Sequence, residues 1–348
     1  TALGHAHPAV TRAIQKQAAQ VIHTSNLFLI EPQVRLAEEL VRRSFADRAF
    51  FCNSGAEAVE AMIKLARRWG AQKGGGRFEI IVGSGGFHGR TLGALSATPQ
   101  EKYQKDFGPL LPGFITCPRG DLEAFRRAVG EKTCAILVEP IQGESGVHPL
   151  SREFVHGLRA LCNEKGILLL FDEIQVGMGR TGSFFAYEHY GVEPDALTLA
   201  KALGNGMPVG ALLARKELAE LLGQGSHGST FGGNFLASAA ALATVKEIAK
   251  KTTLQNVVRQ GAALRNGLEE LARKFPARVK EIRGAGLLVG IELHEAVEGV
   301  QKAARERGLI VGVAGPNTIR FAPSLLVTKK EVGTALSILE SALEATQP

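Results

Sequence analysis

The sequence predicts an α/β fold with a mostly parallel central sheet and a smaller α+β domain at its C-terminal end. Short apolar runs such as "CAILV" and "ILLLF" alternate with helical segments through most of the chain, which is typical of parallel sheets covered by helices. Nearly every run ends in glycines and polar residues. Beyond about residue 240 the strands become shorter and follow long helical stretches.

Apolar periodicity predicts the order of elements before that change of texture. The predicted elements are helix 7–21, helix 31–44, a short strand with a long helix in 47–70, a strand entering a glycine-rich loop in 78–91, strand segment 133–146, helix 151–166, strand segment 166–179 and two strands in 195–215. The C-terminal part is predicted as helix 235–250, an amphipathic stretch to Phe275, strands 286–293, 308–313 and 318–324, and a last helix.

These elements divide the chain into an N-terminal segment 1–30, a large domain 31–245 and a small domain 246–348. Ligands of such sheets bind beyond the carboxyl ends of the strands. The residues that follow each predicted strand are therefore the candidates for a functional site.

Composition excludes several classes of protein. The formal charge is +7, but no run of five basic residues exists, so we expect no nucleic-acid partner. No apolar run reaches the length of a membrane span, and we expect no membrane partner. The four cysteines lie far apart, which favours free thiols in a reducing compartment. We expect the cytoplasm, with an organelle matrix as the alternative.

The strand "LLLFD" ends in two adjacent acids, Asp172 and Glu173. An unpaired charge in a buried strand costs several kcal/mol, so one of these carboxylates requires a partner. Asp172 is a candidate metal ligand, general base or partner of a cationic ring. No further acid or histidine stands nearby at ligand spacing, and we therefore expect no metal.

Three other loops carry candidate residues with two readings each. Ser54 opens a helix, where it serves either as an N-cap or as part of a phosphate site. Arg90 follows an aromatic pair, Phe87 and His88, and is either a surface residue or a clamp for a carboxylate. Glu144 lies between glycines, as a solvated acid or as part of the site.

Lys201 decides between these readings. It ends the apolar strand "DALTLA" and precedes a glycine-rich loop, a position that suits a nucleophilic lysine with a lowered pKa better than a surface lysine. A lysine that forms a Schiff base, an aspartate for a ring nitrogen and a helix N-terminus for a phosphate together fit pyridoxal 5'-phosphate. Asp172 would then pair with the protonated ring.

The chain resembles the class III (ornithine-type) aminotransferases from "LGHAHP" to "TIRFAPSLLVT". Seven motifs stand in the family's order and spacing. They are "HTSNLF", "FFCNSGAEA", "FHGRTLGALSAT", "VEPIQGESG", "FDEIQVGMGRTG", "LAKALGNGMPVGA" and "HGSTFGGN". Within the class, the first, third and last most resemble acetylornithine aminotransferases. The resemblance implies the pyridoxal-phosphate fold of type I.

The resemblance also implies residue roles. Lys201 is similar to the Schiff-base and proton-transferring lysine, Asp172 to the partner of the ring nitrogen, and Gln175 to the partner of the ring oxygen. Ile174 and Phe87 resemble residues that pack on the two ring faces. The implied cofactor-binding residues are Ser54, Gly55, Ala56, Phe87, His88, Asp172, Ile174, Gln175, Lys201 and Thr230, the last reaching in from a second subunit.

Four residues resemble substrate-binding positions of the family. Arg90 is similar to a binder of the substrate's α-carboxylate, and Arg320 to the arginine that takes the α-carboxylate of glutamate. Glu144 resembles the partner that masks Arg320 while the amine donor is bound. Asn26 is expected to border the substrate pocket.

The implied reaction moves the terminal amino group of N-acetylornithine to 2-oxoglutarate, a step of arginine biosynthesis, in a homodimer with shared active sites. The alternatives are an ornithine, succinylornithine, succinyldiaminopimelate or lysine-pathway aminotransferase. An aminomutase or decarboxylase on the same fold is a more distant alternative. The family has some tens of residues before "LGH", so we expect segment 1–30 to lack its beginning.

Overall fold

A seven-stranded sheet forms the centre of the protein, which is known from a computed structural model that describes residues 1–346. Its strands lie in the order β1-β9-β8-β7-β4-β2-β3. Six of them run parallel, and β9 is antiparallel to both neighbours. The strands are β1 (Arg48–Cys52), β2 (Glu79–Gly83), β3 (Phe114–Cys117), β4 (Thr133–Val138), β7 (Leu168–Asp172), β8 (Ala196–Leu199) and β9 (Gly210–Ala214).

Helices cover both faces of this sheet and continue into the C-terminal part. The helices are α1 (Pro8–Ala18), α2 (Glu31–Val41), α3 (Gly55–Lys73), α4 (Leu92–Ser96), α5 (Glu101–Gln104), α6 (Leu122–Ala128), α7 (Arg152–Lys165), α8 (Lys216–Ala219), α9 (Phe235–Ile248), α10 (Lys251–Lys274), α11 (Glu298–Glu306) and α12 (Lys329–Ala345). Helix α3 packs on one face, whereas α1, α2 and α9 pack against one another on the other face.

Alternating side chains of the central strands supply the two halves of the core. In β4, Ile136 points into one cluster, and Ala135 and Leu137 point into the other. All six residues of β4 and all five of β7 are buried. Strands that are apolar on both sides are expected where helices cover both faces of a sheet.

A second, antiparallel sheet of four strands lies in the C-terminal part, in the order β10-β11-β13-β12. Its strands are β10 (Val279–Ala285), β11 (Leu288–Leu293), β12 (Gly312–Ala314) and β13 (Thr318–Phe321). Helices α10, α11 and α12 pack around it and share a separate core that includes Leu264, Ile291 and Leu339. A short hairpin, β5 (Ile141–Gln142) with β6 (His148–Pro149), lies next to β10.

Local signals place the ends of the helices that border the site. Ser54 caps α3 by accepting a hydrogen bond from the Glu57 N–H at 3.2 Å, and Glu57 in turn accepts from the Asn53 N–H. This reciprocal cap satisfies donors that a helix start leaves unpaired. Helix α7 ends at Gly166, whose φ of +58° suits glycine.

The predicted fold class is confirmed, but several elements differ from the sequence prediction. The helices α4, α5, α6, α8 and α11 and the strand β6 were not predicted. Strands β3 and β10 were not predicted, because each mixes polar and apolar residues and gives no sustained apolar run. The predicted strand 308–313 forms only at its end, as β12. The domain limits 1–30, 31–245 and 246–348 remain predictions, and residues 347–348 lie outside the described residues. No helix within residues 1–346 has the length and apolar character needed to cross a membrane.

Candidate active site

The polar loops that follow β1, β2, β4, β7 and β8 meet at one edge of the sheet, around a cavity of about 780 Å³. Parallel strands bring their carboxyl ends to the same edge, which is where ligands of such sheets bind. The predicted site residues that line this cavity are Ser54, Gly55, Ala56, Phe87, His88, Arg90, Glu144, Asp172, Ile174, Gln175, Lys201 and Arg320.

Asp172 ends β7 with a side chain that is only 3% exposed. Its Oδ2 lies 2.8 Å from His88 Nδ1, and its Oδ1 accepts hydrogen bonds from the Ile174 N–H and the Thr198 hydroxyl. The buried carboxylate therefore has a protein partner, His88, which the sequence analysis did not assign to it. Glu173 points away and accepts from the Ala186 and Tyr187 N–H groups, each at 2.7 Å.

A second buried carboxyl, Glu139, lies beside this pair. Its Oε1 accepts a hydrogen bond from the Phe87 N–H at 2.8 Å, and it is 6% exposed. Burial raises the pKa of Glu139 to about 7, although the charge of His88 opposes the shift. Burial alone would lower the pKa of His88, but the hydrogen bond and charge of Asp172 raise it overall. The protonation of Glu139 and that of His88 therefore depend on each other's charge.

The sequence analysis missed Glu139 as a site residue, although the same signal was available that singled out Asp172. Glu139 also follows directly on a fully buried strand, β4. The acid predicted from this loop was Glu144, because it lies between glycines. Arg180 was missed as well, and it lines the cavity while donating to the carbonyls of Leu287 and Pro323.

Lys201 follows β8 in a backbone conformation with a φ of +33°. A residue other than glycine pays roughly 1–3 kcal/mol for such a conformation, and strain of this kind is concentrated at functional sites. Lys201 lines the cavity. Its positive charge opposes the burial that raises the pKa of Glu139, and it adds to the effect of Arg320, which lowers the pKa of Glu144. The cavity contains the ion pairs His88–Asp172 and Arg320–Glu144, and Lys201 is a member of neither.

The first turn of α3 forms the wall that was predicted for a phosphate. The backbone approaches Ile174 so closely that a Cβ at Gly55 would lie 2.9 Å from its Cδ1. A Cβ at Gly210 would collide with the Ser54 carbonyl oxygen. The N-terminus of a helix of 19 residues here presents N–H groups and a partial positive charge.

Glu144 and Arg320 form an ion pair at 2.8 Å across the cavity. Arg320 Nη1 also donates to the Gly143 carbonyl oxygen, and Gln175 Nε2 donates to Glu144 Oε1 at 2.8 Å. Burial tends to raise the pKa of Glu144, but the charge and hydrogen bond of Arg320 lower it overall. Gln175, predicted as a ring-oxygen partner, thus lies beside both members of this pair.

Phe87 and Arg90 share an aromatic neighbour, Tyr103. The Phe87 ring meets it edge-on at 5.4 Å between centroids, and the Arg90 guanidinium lies 5.0 Å from its centroid. Arg90 is exposed and forms no ion pair with a carboxylate of residues 1–346. Its charge is therefore open to a ligand at the mouth of the cavity.

Two predicted site residues do not lie in this cavity. Asn26 donates to the carbonyls of Ser229 and Gly232, at 3.0 Å each. Thr230 lies in the same loop, around a separate cavity of about 350 Å³ on the far side of Asn53. One chain alone does not bring these two residues to the others. The role of Thr230 in the site of a second subunit and the place of Asn26 at the border of the substrate pocket both stay predictions.

Comparison with known proteins decides the family. The family described as aminotransferase class-III matches residues 1–343. The chain is 50% identical to the acetylornithine aminotransferase of Caldanaerobacter subterraneus subsp. tengcongensis, over 98% of this chain and 87% of that protein. It is 47% identical to that of Methanocaldococcus jannaschii, over 97% and 85%.

The chain belongs to the class-III aminotransferases. Among solved structures, an N-acetylornithine aminotransferase from Stenotrophomonas maltophilia matches with a TM-score of 0.85 at 38% identity, over 99% of this chain and 88% of that one. The ornithine aminotransferase of Toxoplasma gondii matches with a TM-score of 0.94 at 33% identity, over 98% and 83%. The fold is thus that of type I pyridoxal-phosphate enzymes, as expected.

Class-III aminotransferases use pyridoxal 5'-phosphate, and the chemistry of the cavity of this member fits the cofactor. A helix N-terminus without side-chain bulk faces one end of the cavity, a buried carboxylate lies in its floor and an amine without an ion-pair partner lies at its wall. These are the groups that a phosphate, a ring nitrogen and an aldehyde require.

We predict that the His88–Asp172 pair stabilises this class-III enzyme in a pH-dependent way. Because the pKa of His88 is raised in the folded state, its contribution is complete below the ordinary histidine value of about 6.5 and is lost as pH rises through the folded pKa. His88→Gln should lower the free energy of unfolding by roughly 1–3 kcal/mol near the acid end, and less at alkaline pH.

The measurement is urea unfolding of the cofactor-free protein, monitored by circular dichroism, at pH values below and above the ordinary histidine pKa of about 6.5. His5→Gln is the matched control, because His5 is exposed. A deficit in His88→Gln that grows with rising pH would contradict the assigned sign.

Proposed function

We propose that this aminotransferase moves the terminal amino group of N-acetylornithine to 2-oxoglutarate, giving N-acetylglutamate semialdehyde and glutamate. The proposal takes its donor from the relatives, which at 50% and 47% identity are named acetylornithine aminotransferases. The observation that carries the acceptor is the Glu144–Arg320 ion pair in the cavity, since a carboxylate substrate of the second half-reaction requires a cation that can be freed.

Bound pyridoxal phosphate supplies an aldehyde that captures the amino group and an electron-withdrawing ring that stabilises negative charge on the adjacent carbon. In our proposal Asp172 keeps a proton on the ring nitrogen, and His88 holds the Asp172 carboxylate in place. Gly55 and Ala56 offer backbone N–H groups to the phosphate beside Ser54. Ile174 and Phe87 pack on the two ring faces, and Gln175 orients the ring oxygen.

Lys201 is proposed as the group that moves the proton. Its Nζ removes the proton from the donor carbon that bears nitrogen, and in the second half-reaction it returns a proton to the equivalent carbon of the acceptor. A primary amine suits both tasks. The three cavity carboxyls have other partners, since Asp172 pairs with His88, Glu144 pairs with Arg320 and Glu139 accepts from the Phe87 N–H. General acid–base transfer of this kind contributes roughly 10²–10⁴-fold to the rate.

Arg320 and Glu144 are proposed to choose between the two substrates. While the donor is bound, Glu144 neutralises Arg320. When 2-oxoglutarate enters, its α-carboxylate replaces Glu144 on the guanidinium, and Arg90 at the mouth holds the other carboxylate. Arg90 binds the α-carboxylate of the donor in the first half-reaction. The terminal amine then lies deepest, next to Lys201.

We propose a homodimer in which Thr230 and Asn26 of one subunit complete the site of the other. The segment after Asn26 exposes three large apolar residues, with Leu27 at 85%, Phe28 at 69% and Leu29 at 90% exposure, and Phe231 beside Thr230 is 57% exposed. Asn26 and Gln33 tie this segment to the loop of Thr230. Contiguous exposed apolar surface of this kind marks interaction sites.

We also propose a cytoplasmic location.

The choice of donor is tested with a panel of acetylornithine, succinylornithine, ornithine and 4-aminobutyrate, each with 2-oxoglutarate. We expect the highest kcat/KM for acetylornithine, because its terminal amine can reach Lys201 while its α-carboxylate lies on Arg90. Glutamate formation is the measured quantity. A preference for ornithine or 4-aminobutyrate would overturn the proposed substrate.

We expect Lys201→Ala to lose at least about 10²-fold in turnover, because no other lysine of residues 1–346 lines the cavity. The variant should still fold and bind the cofactor phosphate, which equilibrium dialysis with pyridoxal phosphate measures. Lys216→Ala, at an exposed lysine paired with Glu220, is the control. Near-normal turnover of Lys201→Ala would refute the assignment.

Glu144→Gln should affect the two half-reactions differently. The amide cannot neutralise Arg320, so we expect the rate with the amine donor to fall about tenfold, with little change in the rate with 2-oxoglutarate. Single-turnover absorbance measurements of each half-reaction give both rates. Glu193→Gln removes a carboxylate from an exposed ion pair and is the control. An equal fall in both half-reactions would contradict the proposed exchange.

We expect Phe28→Asp to shift the protein from dimer to monomer, because a charge in the centre of a buried apolar contact loses its hydration. Sedimentation velocity measures this shift, and the monomer should release its cofactor more readily. Ile310→Asp is a suitable control, since Ile310 is 87% exposed in the small domain. Wild-type sedimentation of Phe28→Asp would count against this surface as the interface.

A further inference from the structure

A second cavity, of about 730 Å³, lies between the large domain and the small antiparallel sheet. One wall is the loop from Ser145 to Pro149, and the other is formed by β10, β11 and the turn between β12 and β13. Arg119, which follows β3, closes one end. None of the residue roles proposed above makes use of this cleft.

Positive charge is in excess in the cleft. Four cationic side chains line it, namely Arg119, Arg265, Lys280 and Arg283, against the two carboxylates Glu281 and Glu292. One of the four, Arg265, also pairs with Glu269 outside the cleft at 3.7 Å. Both carboxylates are already engaged, because Arg283 pairs with each of them and Lys280 pairs with Glu292 at 2.8 Å. Arg119 pairs with no carboxylate of residues 1–346 and donates to the Gln142 side-chain oxygen at 2.9 Å.

The positive charge of the cleft affects the pKa of its histidine, His148. His148 is half-buried, and burial together with the charges of Arg119 and Arg283 lowers its pKa to about 4. It therefore stays neutral at physiological pH, with Nε2 3.2 Å from the Ser145 carbonyl oxygen. A neutral imidazole whose one N–H is donated to this carbonyl adds no further positive charge to the cleft.

The cleft shares one loop with the active site. Glu144 points to Arg320 in the catalytic cavity, whereas Ser145 and His148 line the second cleft. Arg283 donates to the Gly146 carbonyl oxygen at 2.8 Å, and the Gly315 N–H donates to the Glu144 carbonyl oxygen at 3.1 Å. Groups of the cleft therefore hold the backbone at Glu144 itself and two residues after it.

We propose that this cleft binds a small multivalent oxyanion, with Arg119, Lys280 and Arg283 as its ligands, on the reverse side of the loop that carries Glu144. Phosphate and short dicarboxylates share the required chemistry, since both offer several charged oxygens to guanidinium and ammonium donors. The site goes beyond the proposed reaction and does not depend on which amino donor the enzyme takes.

Isothermal titration of the cofactor-loaded enzyme with inorganic phosphate, and separately with succinate, tests this proposal at constant ionic strength. We expect saturable binding of at least one of the two anions to the wild type. The dissociation constant should rise about tenfold in Arg119→Gln, because one charge-assisted contact is lost, and it should also rise in Lys280→Gln. The anion that binds more tightly identifies the class of ligand.

Arg307→Gln is the matched control, because it removes the same charge from an exposed position outside the cleft, where Arg307 donates to the Ala303 carbonyl oxygen. It should bind the anion as the wild type does. Any binding at Arg320 is common to all of these proteins and cancels in the comparison. Equal affinity of wild type and Arg119→Gln, or no saturable binding of either anion, would overturn the proposal.

Discussion

The burial of one carboxylate, that of Asp172, constrains the rest of the site. A charge that is only 3% exposed at the end of a strand must be paired and hydrogen-bonded. His88 and Thr198 meet this requirement from the neighbouring loop and strand. The cost of leaving Asp172 unpaired thus couples the position of β7 to the loop after β2, which also carries Phe87 and Arg90. The Asp172 carboxylate is thus held in one position at the base of the cavity, where a cofactor ring can bind next to it.

The charges of the cavity form two separate groups, and this separation has a chemical use. His88, Asp172 and Glu139 lie at the sheet edge and are buried, and burial raises the pKa of Glu139 beside the charges of the other two. Arg320 and Glu144 lie nearer the small sheet and are half-buried. The first group suits a cofactor that remains in place, whereas the second suits substrates that come and go. Lys201 stands between them and interacts electrostatically with both carboxyls, Glu139 and Glu144.

The loop around Glu144 connects three parts of the molecule. Its side chain faces Arg320 of β13, its carbonyl oxygen accepts from Gly315 beyond β12, and the following glycine is held by Arg283 of β10. A Cβ at Gly143 would collide with the Gln175 amide, so this position of the loop has no room for a side chain. The Glu144–Arg320 pair therefore joins the β5–β6 hairpin to the small antiparallel sheet.

The sequence by itself determined the alternation of strands and helices and the nature of the residues after each strand, because both follow from local hydrophobic pattern and from the low tolerance of buried strands for charge. It therefore predicted Lys201 and Asp172, whereas positions such as Gln175 and Arg320 came from the family resemblance. Only the tertiary structure decided that His88 is the partner of Asp172, that Glu139 joins them, and that Asn26 and Thr230 lie apart. Those facts depend on which strand ends become neighbours, and the order β8-β7-β4-β2 is set by packing across the whole sheet.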